Sequence, residues 1–301
     1  MFNFFPFKPS QNQNFQRTMW RVVDIIKTSS EFLQKKGVPD PRLDAELLLG
    51  HVLQKNRLEL YMFFDRPMTA PELDQYRELV KRRGDREPLQ HIVGSTGFMN
   101  AEIKTGPQAL VPRPETEVLV ETLMERSIPP ESRVLDIGTG SGCIAISIAQ
   151  ELDQPKVLAI DVSPDALALA KENAGSNEVS ISFQRVDILQ DLPKMNDRFD
   201  IVVSNPPYIR QDEREDLQEE VREHDPALAL FDDGDGLTFY RRFADVLPDL
   251  LRPGGQFLFE FGGKPQAEYV LDIFTRSVYS DLEIIQDHNG DPRLISGRFK
   301  P

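Results

Sequence analysis

Apolar residues recur at helical spacing between residues 19 and 84 of the chain. In PDPRLDAELLLGHVLQ, residues 39–54, Asp40 and Pro41 form a helix start signal, and the apolar positions after them are Leu43, Ala45, Leu47, Leu48 and Val52. In TAPELDQYRELVKRRG, residues 69–84, a second helix opens at Thr69 and ends on basic residues before Gly84. The pattern predicts a small helical-bundle domain over residues 19–88.

The pattern then changes to β segments. HIVGSTGFMNAEIKTGPQALV, residues 91–111, is punctuated by glycines, which predicts a hairpin-like connection over residues 89–115. From residue 133 onward, apolar runs alternate with helical segments such as PDALALAKENA, as is typical of a mostly parallel sheet covered on both faces. The candidate strands are RVLDI, KVLAID, ISFQRV, FDIVVS, GQFLFEF, LEIIQD and RLISGRF. The last two lie too close for a helical crossover and are predicted to pair antiparallel. The fold class is therefore α/β, with this second domain over residues 116–301.

Composition narrows the choice of protein class. The chain has 301 residues, of which 40% are hydrophobic and 28% charged, so it belongs with globular proteins rather than disordered or membrane chains. Its net charge of −14 works against a broad basic surface for nucleic acid, and we expect neither a nucleic-acid nor a membrane partner. The single cysteine, Cys143, fits a reducing compartment, and we expect a cytoplasmic monomer.

Two further expectations concern what the chain lacks. Residues 1–18 have no charged start, apolar centre and small-residue cleavage site, so we expect a flexible tail rather than a secretory signal. The four histidines are scattered without zinc spacing, and we expect no metal. A separate expectation concerns the acidic run at residues 212–220, which is predicted to be a solvated helix.

A glycine-rich turn is the first candidate for chemistry. VLDIGTGSGCIA, residues 134–145, leads from an apolar strand into a helix, so a ligand can approach the backbone at the helix N-terminus. A dinucleotide fingerprint would need a glycine at Cys143, which weakens a pyrophosphate site. Asp161 ends the second strand and can accept hydrogen bonds from both ribose hydroxyls, while Asp187 and Ile188 end the third strand near an adenine. The pattern favours a nucleoside-type cofactor over a purely structural turn.

The second candidate is SNPPYIR, residues 204–210, which follows the apolar run FDIVV. Pro206 and Pro207 stiffen the backbone and leave their carbonyls free as acceptors, and Asn205 is steered away from helical backbone angles because it precedes a proline. The stretch lies at the carboxyl end of a predicted strand, where open α/β sheets bind their ligands. This position favours a binding site over a simple turn.

Together, DIGTGSG, Asp161 and NPPY resemble the class I S-adenosylmethionine-dependent methyltransferases. The resemblance implies a Rossmann-like, seven-stranded fold that binds S-adenosyl-L-methionine across the strand ends and releases S-adenosyl-L-homocysteine. In families with this Asn-Pro-Pro-Tyr motif, the methyl acceptor is a planar nitrogen of a base or a side-chain amide. The Asn205 side-chain oxygen and the Pro206 carbonyl can each accept one N–H of the acceptor, and Tyr208 can pack its ring on the planar group.

Four more segments bear on the choice between base and amide: residues 84–98, 110–121, 224–237 and 291–298. These four segments, in the order in which they occur along the chain, resemble segments of the bacterial peptide chain release factor methyltransferases, which act on the N5 nitrogen of the glutamine in a Gly-Gly-Gln loop. The resemblance runs from about residue 20 to the end of the chain. It implies that the helical domain recognises the release factor.

The same resemblance assigns site residues by motif. Cofactor contacts fall on Gly138, Thr139, Gly140, Ser141, Gly142, Asp161 and Asn205, with Ile188 in a variable position beside adenine. Substrate contacts fall on Asn205, Pro206, Pro207 and Tyr208, of which Asn205, Pro206 and Tyr208 are the catalytic candidates. Arg113, bracketed by prolines, is expected to shape the wall of the site.

Three alternatives stay open. An adenine-N6 nucleic-acid methyltransferase would share NPPY, although its basic target-recognition region is missing from the sequence. A glutamine methyltransferase of a ribosomal protein would share every motif. A nucleotide-binding regulatory module would explain the glycine turn but would leave NPPY without a purpose.

Overall fold

The computed structural model of the chain describes residues 20–275 and 278–300. The expected flexible tail, residues 1–18, lies outside the described residues. Internal contacts divide the chain between Val93 and Gly94 into a helical unit and an α/β unit. The finer domain boundaries expected from the sequence, at residues 88 and 115, stay a prediction.

The helical unit contains α1 (Val22–Lys35), α2 (Pro41–Leu53), α3 (Arg57–Met62), α4 (Ala70–Gly84) and α5 (Leu89–Val93). The two expected helix starts are confirmed, since α2 begins at Pro41 and Thr69 precedes α4. Among the apolar positions expected in α2, Ala45 and Leu48 are buried, whereas Leu43 is 37% exposed. The unit has its own apolar core, which includes Val22, Ile25, Leu33, Leu48 and Tyr76.

The α/β unit opens with the predicted hairpin, in which β1 (Ser95–Phe98) pairs antiparallel with β2 (Ala101–Lys104). Its remaining elements are α6 (Pro114–Met124), β3 (Arg133–Ile137), α7 (Cys143–Glu151), β4 (Lys156–Asp161), α8 (Pro164–Ser176), β5 (Ile181–Arg185), β6 (Phe199–Ser204), β7 (Ile209–Arg210), a 3-10 helix (Gln211–Asp216), α9 (Glu219–His224), α10 (Ala227–Leu230), β8 (Phe231–Asp232), α11 (Thr238–Leu250), β9 (Leu251–Glu260), α12 (Lys264–Thr275), β10 (Tyr279–Gln286) and β11 (Pro292–Phe299).

The seven predicted strands form one sheet in the order β10-β11-β9-β6-β3-β4-β5. Strands β9, β6, β3, β4 and β5 are parallel neighbours, and β11 pairs antiparallel with β9 and β10. The α/β class and the antiparallel final pair are therefore confirmed. Because β3, β4, β5 and β6 are parallel neighbours, their carboxyl ends lie side by side along one edge of the sheet.

Side-chain alternation along the strands builds two cores, one on each face of the sheet. Leu135 of β3 and Phe257 of β9 pack with Phe243 of α11 on one face. On the other face, Val134 and Leu258 pack with side chains of α6 and α7. The sheet is thus covered on both faces, as the near-continuous apolar strands predict.

The acidic run at residues 212–220 is not a single helix, and that expectation is wrong. A 3-10 helix covers Gln211–Asp216, Leu217 has extended backbone angles, and α9 begins at Glu219. The run is exposed up to Glu219 except for the half-buried Leu217, while Glu220 is buried. Charge periodicity alone does not reveal this break, because its cause is the local backbone at Leu217.

Candidate functional site

The glycine-rich turn lies between the end of β3 and the start of α7. Gly138, Gly140 and Gly142 all have positive φ angles, of 70°, 55° and 85°. At Gly142 a Cβ atom would lie 3.1 Å from the Cβ of Ala170 on α8, so a side chain here would crowd α8 as well as adopt a strained backbone angle. The turn is held to the neighbouring strand because the backbone N–H groups of Gly138 and Thr139 donate to the carbonyl of Ile160 at 2.9 and 3.0 Å.

Asp161 stands beside this turn at the end of β4. Its Oδ2 accepts the backbone N–H of Gly140 at 2.9 Å, and its Oδ1 accepts the N–H of Ser163 at 2.9 Å. Burial raises the pKa of this carboxyl, while the backbone donors act in the opposite direction. The backbone of Val162 also donates to this carboxyl. A carboxylate has about four acceptor positions, so these backbone bonds do not occupy all of them and a ligand's hydroxyl group can still bind.

A cavity of about 330 Å³ opens along this edge of the sheet. It brings together ten of the site residues predicted from the sequence: Gly138, Thr139, Gly140, Ser141, Asp161, Asp187, Ile188, Asn205, Pro206 and Pro207. Arg113, which was expected to shape the wall of the site, also lines this cavity. The volume lies in the range of small-molecule sites, which are about 300–1,000 Å³.

Two predicted site residues, Gly142 and Tyr208, do not line the cavity. Gly142 packs against Ala170 instead. The Tyr208 hydroxyl donates to Oε1 of Glu260 at 3.3 Å, and the Tyr208 carbonyl accepts from Nε2 of Gln266 at 2.9 Å. The predicted packing of the Tyr208 ring on an acceptor group stays a prediction.

The part of the cavity near β5 has a polar and an apolar side. Asp187 accepts hydrogen bonds from the N–H of Leu189 at 3.0 Å and from Nε2 of Gln190 at 2.6 Å. Ile188 is buried, and Phe239 of α11 also lines the cavity. Phe239 was not predicted from the sequence. The available signal was an aromatic residue in the first turn of a helix that follows a Gly-Asp-Gly turn.

A hydrogen-bonded chain of side chains backs Asn205. Asn205 Nδ2 donates to Thr116 Oγ1 at 3.1 Å, and Thr116 Oγ1 donates to Glu260 Oε2 at 2.7 Å. Thr116 and Glu260 are each only 2% exposed. Burial raises the pKa of Glu260 to about 7, with the Thr116 hydrogen bond acting in the opposite direction. Neither residue was predicted from the sequence, although a glutamate inside the apolar strand GQFLFEF indicates a buried partner.

An ion pair joins two segments of the cavity wall. Arg113, which precedes α6, donates from an Nη atom to Oδ2 of Asp225 at 2.8 Å. Asp225 is buried, which raises its pKa to about 6, and the positive charge of Arg113 acts in the opposite direction. Pro226 and Leu228, which follow Asp225, also line the cavity. The pair therefore fixes the loop before α6 against the segment that holds α10.

Neither a metal site nor a membrane span is found in the part of the chain that the structure describes. No group of three or more His, Cys, Asp or Glu side chains there is arranged to hold a metal ion. Among residues 20–275 and 278–300, no helix is both long and apolar enough to cross a membrane.

Family models match two parts of the chain. The model described as PrmC N-terminal domain matches residues 24–94, and the model described as Methyltransferase small domain matches residues 114–256. The first lies on the helical unit and the second on the α/β unit.

Relatives match nearly the whole chain. It is 41% identical to the release factor glutamine methyltransferase of Geobacter sulfurreducens, an alignment that covers 93% of this chain and 98% of that protein. It is 40% identical to the corresponding protein of Chlorobaculum tepidum, and that alignment also covers 93% of this chain and 98% of the relative. It is 36% identical to that of Bacillus subtilis, in an alignment that covers 92% of this chain and 97% of the relative.

Solved structures show the same fold. A methyltransferase from Pyrococcus furiosus aligns with a TM-score of 0.50 at 17% identity, covering 76% of this chain and 99% of that one. The Thermus thermophilus 16S rRNA N2 G1207 methyltransferase, in complex with AdoMet and guanosine, aligns with a TM-score of 0.50 at 19% identity, covering 68% and 50%.

Proposed function

Because the chain belongs to the family of release factor glutamine methyltransferases, we propose that it methylates the N5 nitrogen of the glutamine in the Gly-Gly-Gln loop of peptide chain release factors. The observation that carries this proposal is the position of Asn205 and Pro206 in the wall of the same cavity as Asp161. One cavity thus has a place for a nucleoside-type cofactor and a pair of acceptors for an amide.

The cofactor is S-adenosylmethionine, which supplies an electrophilic methyl group when bound, and the residues of the cavity fit it. Asp161 has free acceptor positions for the ribose hydroxyls, and Ile188 and Phe239 offer apolar surface for a base. The glycine-rich turn brings backbone groups near the N-terminus of α7 close to the ligand. The individual contacts of Gly138, Thr139, Gly140, Ser141 and Asp187 are part of the proposal.

The acceptor chemistry explains why Asn205 and Pro206 are needed. An amide nitrogen is a poor nucleophile because its lone pair is delocalised, so it must be held in line with the methyl group. The Asn205 side-chain oxygen and the Pro206 carbonyl each accept one N–H of the glutamine amide. Positive charge grows on nitrogen during attack, and both acceptors then bind more strongly than in the ground state. The new N–C bond replaces the bond between the methyl group and the sulfonium sulfur, and the nitrogen then loses one proton to water.

The helical unit is proposed to recognise the release factor. It matches the family model of the PrmC N-terminal domain, and the cofactor residues all lie in the other unit. On α3, Leu58 is 72% and Met62 is 74% exposed, so apolar surface is available for a protein partner. The proposal includes a cytoplasmic monomer that binds no nucleic acid directly, in line with the net charge of −14.

Mass spectrometry of a release factor incubated with the protein and S-adenosylmethionine tests the function. The expected result is one added methyl group on the loop glutamine, and none on a release factor whose loop glutamine is replaced by alanine. A ribosomal protein and an adenine-containing duplex serve as competing acceptors. Methyl transfer to either of these, with an unmodified release factor, would refute the proposal.

A further inference from the structure

An asparagine amide can present either its oxygen or its NH₂ group to a ligand. The two orientations have nearly the same shape, so only hydrogen-bond partners distinguish them. Asn205 lines the cavity at the end of β6. Its backbone is restricted by Pro206, but that restriction does not determine which end of the amide faces the substrate. Some other group must set the orientation that methyl transfer requires.

From the chain of hydrogen bonds behind this amide, we infer that Thr116 and Glu260 are positioning residues for methyl transfer, which hold the Asn205 oxygen toward the acceptor glutamine. The inference rests on the proposed function and deepens it. Neither residue needs to touch the substrate, because both act through Asn205.

The direction of each hydrogen bond follows from the chemistry of the three groups. An ionised Glu260 can only accept, so the single hydroxyl proton of Thr116 is donated to it, at 2.7 Å. Thr116 Oγ1 can then only accept from the amide, and the atom 3.1 Å away must be the Nδ2 donor of Asn205. Oδ1 is the end of the amide that is left for the substrate.

The strand register explains how these residues meet. Strands β6 and β9 are parallel neighbours, and Ser204 lies opposite Phe259. The next residues along the two strands are Asn205 and Glu260, so both stand at the same end of adjacent strands. Thr116 reaches them from the first turn of α6. The arrangement is built by the sheet itself rather than by a mobile loop.

Glu260 also contacts the other end of the NPPY motif. The Tyr208 hydroxyl donates to Oε1 at 3.3 Å, so the two carboxylate oxygens bond to Thr116 and to Tyr208. Arg293 of β11 favours the ionised carboxylate, whereas burial and the charge of Glu115 on α6 oppose it. Cys143 of α7 also lies within electrostatic range of Glu260.

Protonation of Glu260 would disrupt this arrangement. A protonated carboxyl can donate to Thr116, whose hydroxyl is then free to donate to Asn205 and so to favour the opposite amide orientation. Because burial raises the pKa of Glu260 to about 7, kcat should be highest above that pH and should fall as the pH decreases through it.

Thr116→Val tests the inference, because valine keeps the shape of threonine and removes the hydroxyl. Measured with intact release factor, kcat should fall about tenfold or more, the equivalent of one lost hydrogen bond in the transition state. The dissociation constant of S-adenosylmethionine, from calorimetry, should stay within about twofold, since Asp161 and the glycine-rich turn are unchanged. Thr116→Ser, which keeps a hydroxyl, should recover most of the rate. Thr122→Val, on the same helix but away from the cavity, is the matched control.

The outcomes separate this inference from the proposed function. If the parent protein leaves the release factor unmethylated, the function is wrong; if the parent is active and Thr116→Val keeps its kcat, the positioning role is wrong. Equal losses in Thr116→Val and Thr116→Ser would also overturn it. Should Thr116→Val not fold, Glu260→Gln takes its place, since an uncharged amide no longer enforces the Thr116 donor direction. Its kcat should be lower and should no longer fall with decreasing pH, and a pH profile that coincides with that of the parent would refute the inference.

Discussion

Removal of the Asp161 carboxylate should weaken cofactor binding more than any other single change in the cavity wall. The two carboxylate oxygens each accept one backbone N–H, from Gly140 and Ser163, at 2.9 Å. We assign the acceptor capacity that these backbone bonds leave free to the ribose hydroxyls. Asp161→Ala removes both sets of contacts, so the turn loses its anchor and the cofactor loses two charge-assisted hydrogen bonds.

The size of the effect follows from these bonds. Two hydrogen bonds to a charged acceptor contribute about 2 to 5 kcal/mol, which corresponds to roughly 30- to 5,000-fold in the dissociation constant. Binding should also depend on pH. Burial raises the pKa of Asp161, and only the ionised form accepts from both hydroxyls, so affinity should fall as the pH decreases through that pKa.

Isothermal titration of S-adenosylmethionine into the parent and variant proteins measures this effect. Asp165→Asn is the matched control, because Asp165 is an exposed carboxylate in the first turn of α8 and lines no part of the cavity. Its affinity should equal that of the parent. Unchanged affinity in Asp161→Ala, or an equal loss in both variants, would refute the assignment of Asp161 to the ribose.

Three more predictions test other parts of the molecule. Asn205→Ala should lower kcat, measured by tritium transfer, about 10²- to 10³-fold. Its effect on cofactor affinity, measured by calorimetry, should be much smaller, and equal losses of both would make Asn205 a cofactor ligand only. A fragment of residues 94–301 that circular dichroism shows to be folded should bind S-adenosylmethionine but methylate release factor poorly, and a rate equal to that of the full chain would disprove recognition by the helical unit. Burial raises the pKa of Asp136 to about 7, above its unfolded value of 3.8, so its contribution to stability is present at acidic pH and is lost as the pH rises toward 7. In urea unfolding, the free energy of unfolding should therefore decrease less between about pH 4 and 7 in Asp136→Asn than in the parent, by up to a few kcal/mol. Superimposable pH profiles of the two proteins would contradict this.

The elements that could be predicted from the sequence are those decided by local patterns. The stretch KVLAID is predicted to be a buried strand because its four central residues are apolar, and it forms β4 as predicted. The helix at Pro41 follows from local start signals. The final antiparallel pair follows from the length of one connection, because the stretch between β10 and β11 is too short for a helical crossover.

The segment between β7 and α11 could not be predicted in this way. Its elements are short, and contacts with distant residues define them. Asp232, for example, accepts the N–H groups of Gly234 and Thr238, both at 3.2 Å, which shapes the turn that leads into α11. Gln266 reaches from α12 to the carbonyl of Tyr208 at 2.9 Å. The pattern of apolar and polar residues over residues 211–237 does not indicate these partners.

The residues behind Asn205 show a different limit. Thr116 looks like part of an ordinary helix start and Glu260 like an exception in an apolar strand, and they are 144 positions apart in the chain. A buried carboxylate needs partners, so the strand GQFLFEF does predict that some donor lies beside Glu260. Identifying that donor requires the order of the strands, because only the adjacency of β6 and β9 places Glu260 next to Asn205 and below the first turn of α6. A sequence can therefore indicate that such a residue is paired, whereas the partner, and with it the role in positioning the acceptor, depends on the topology of the sheet.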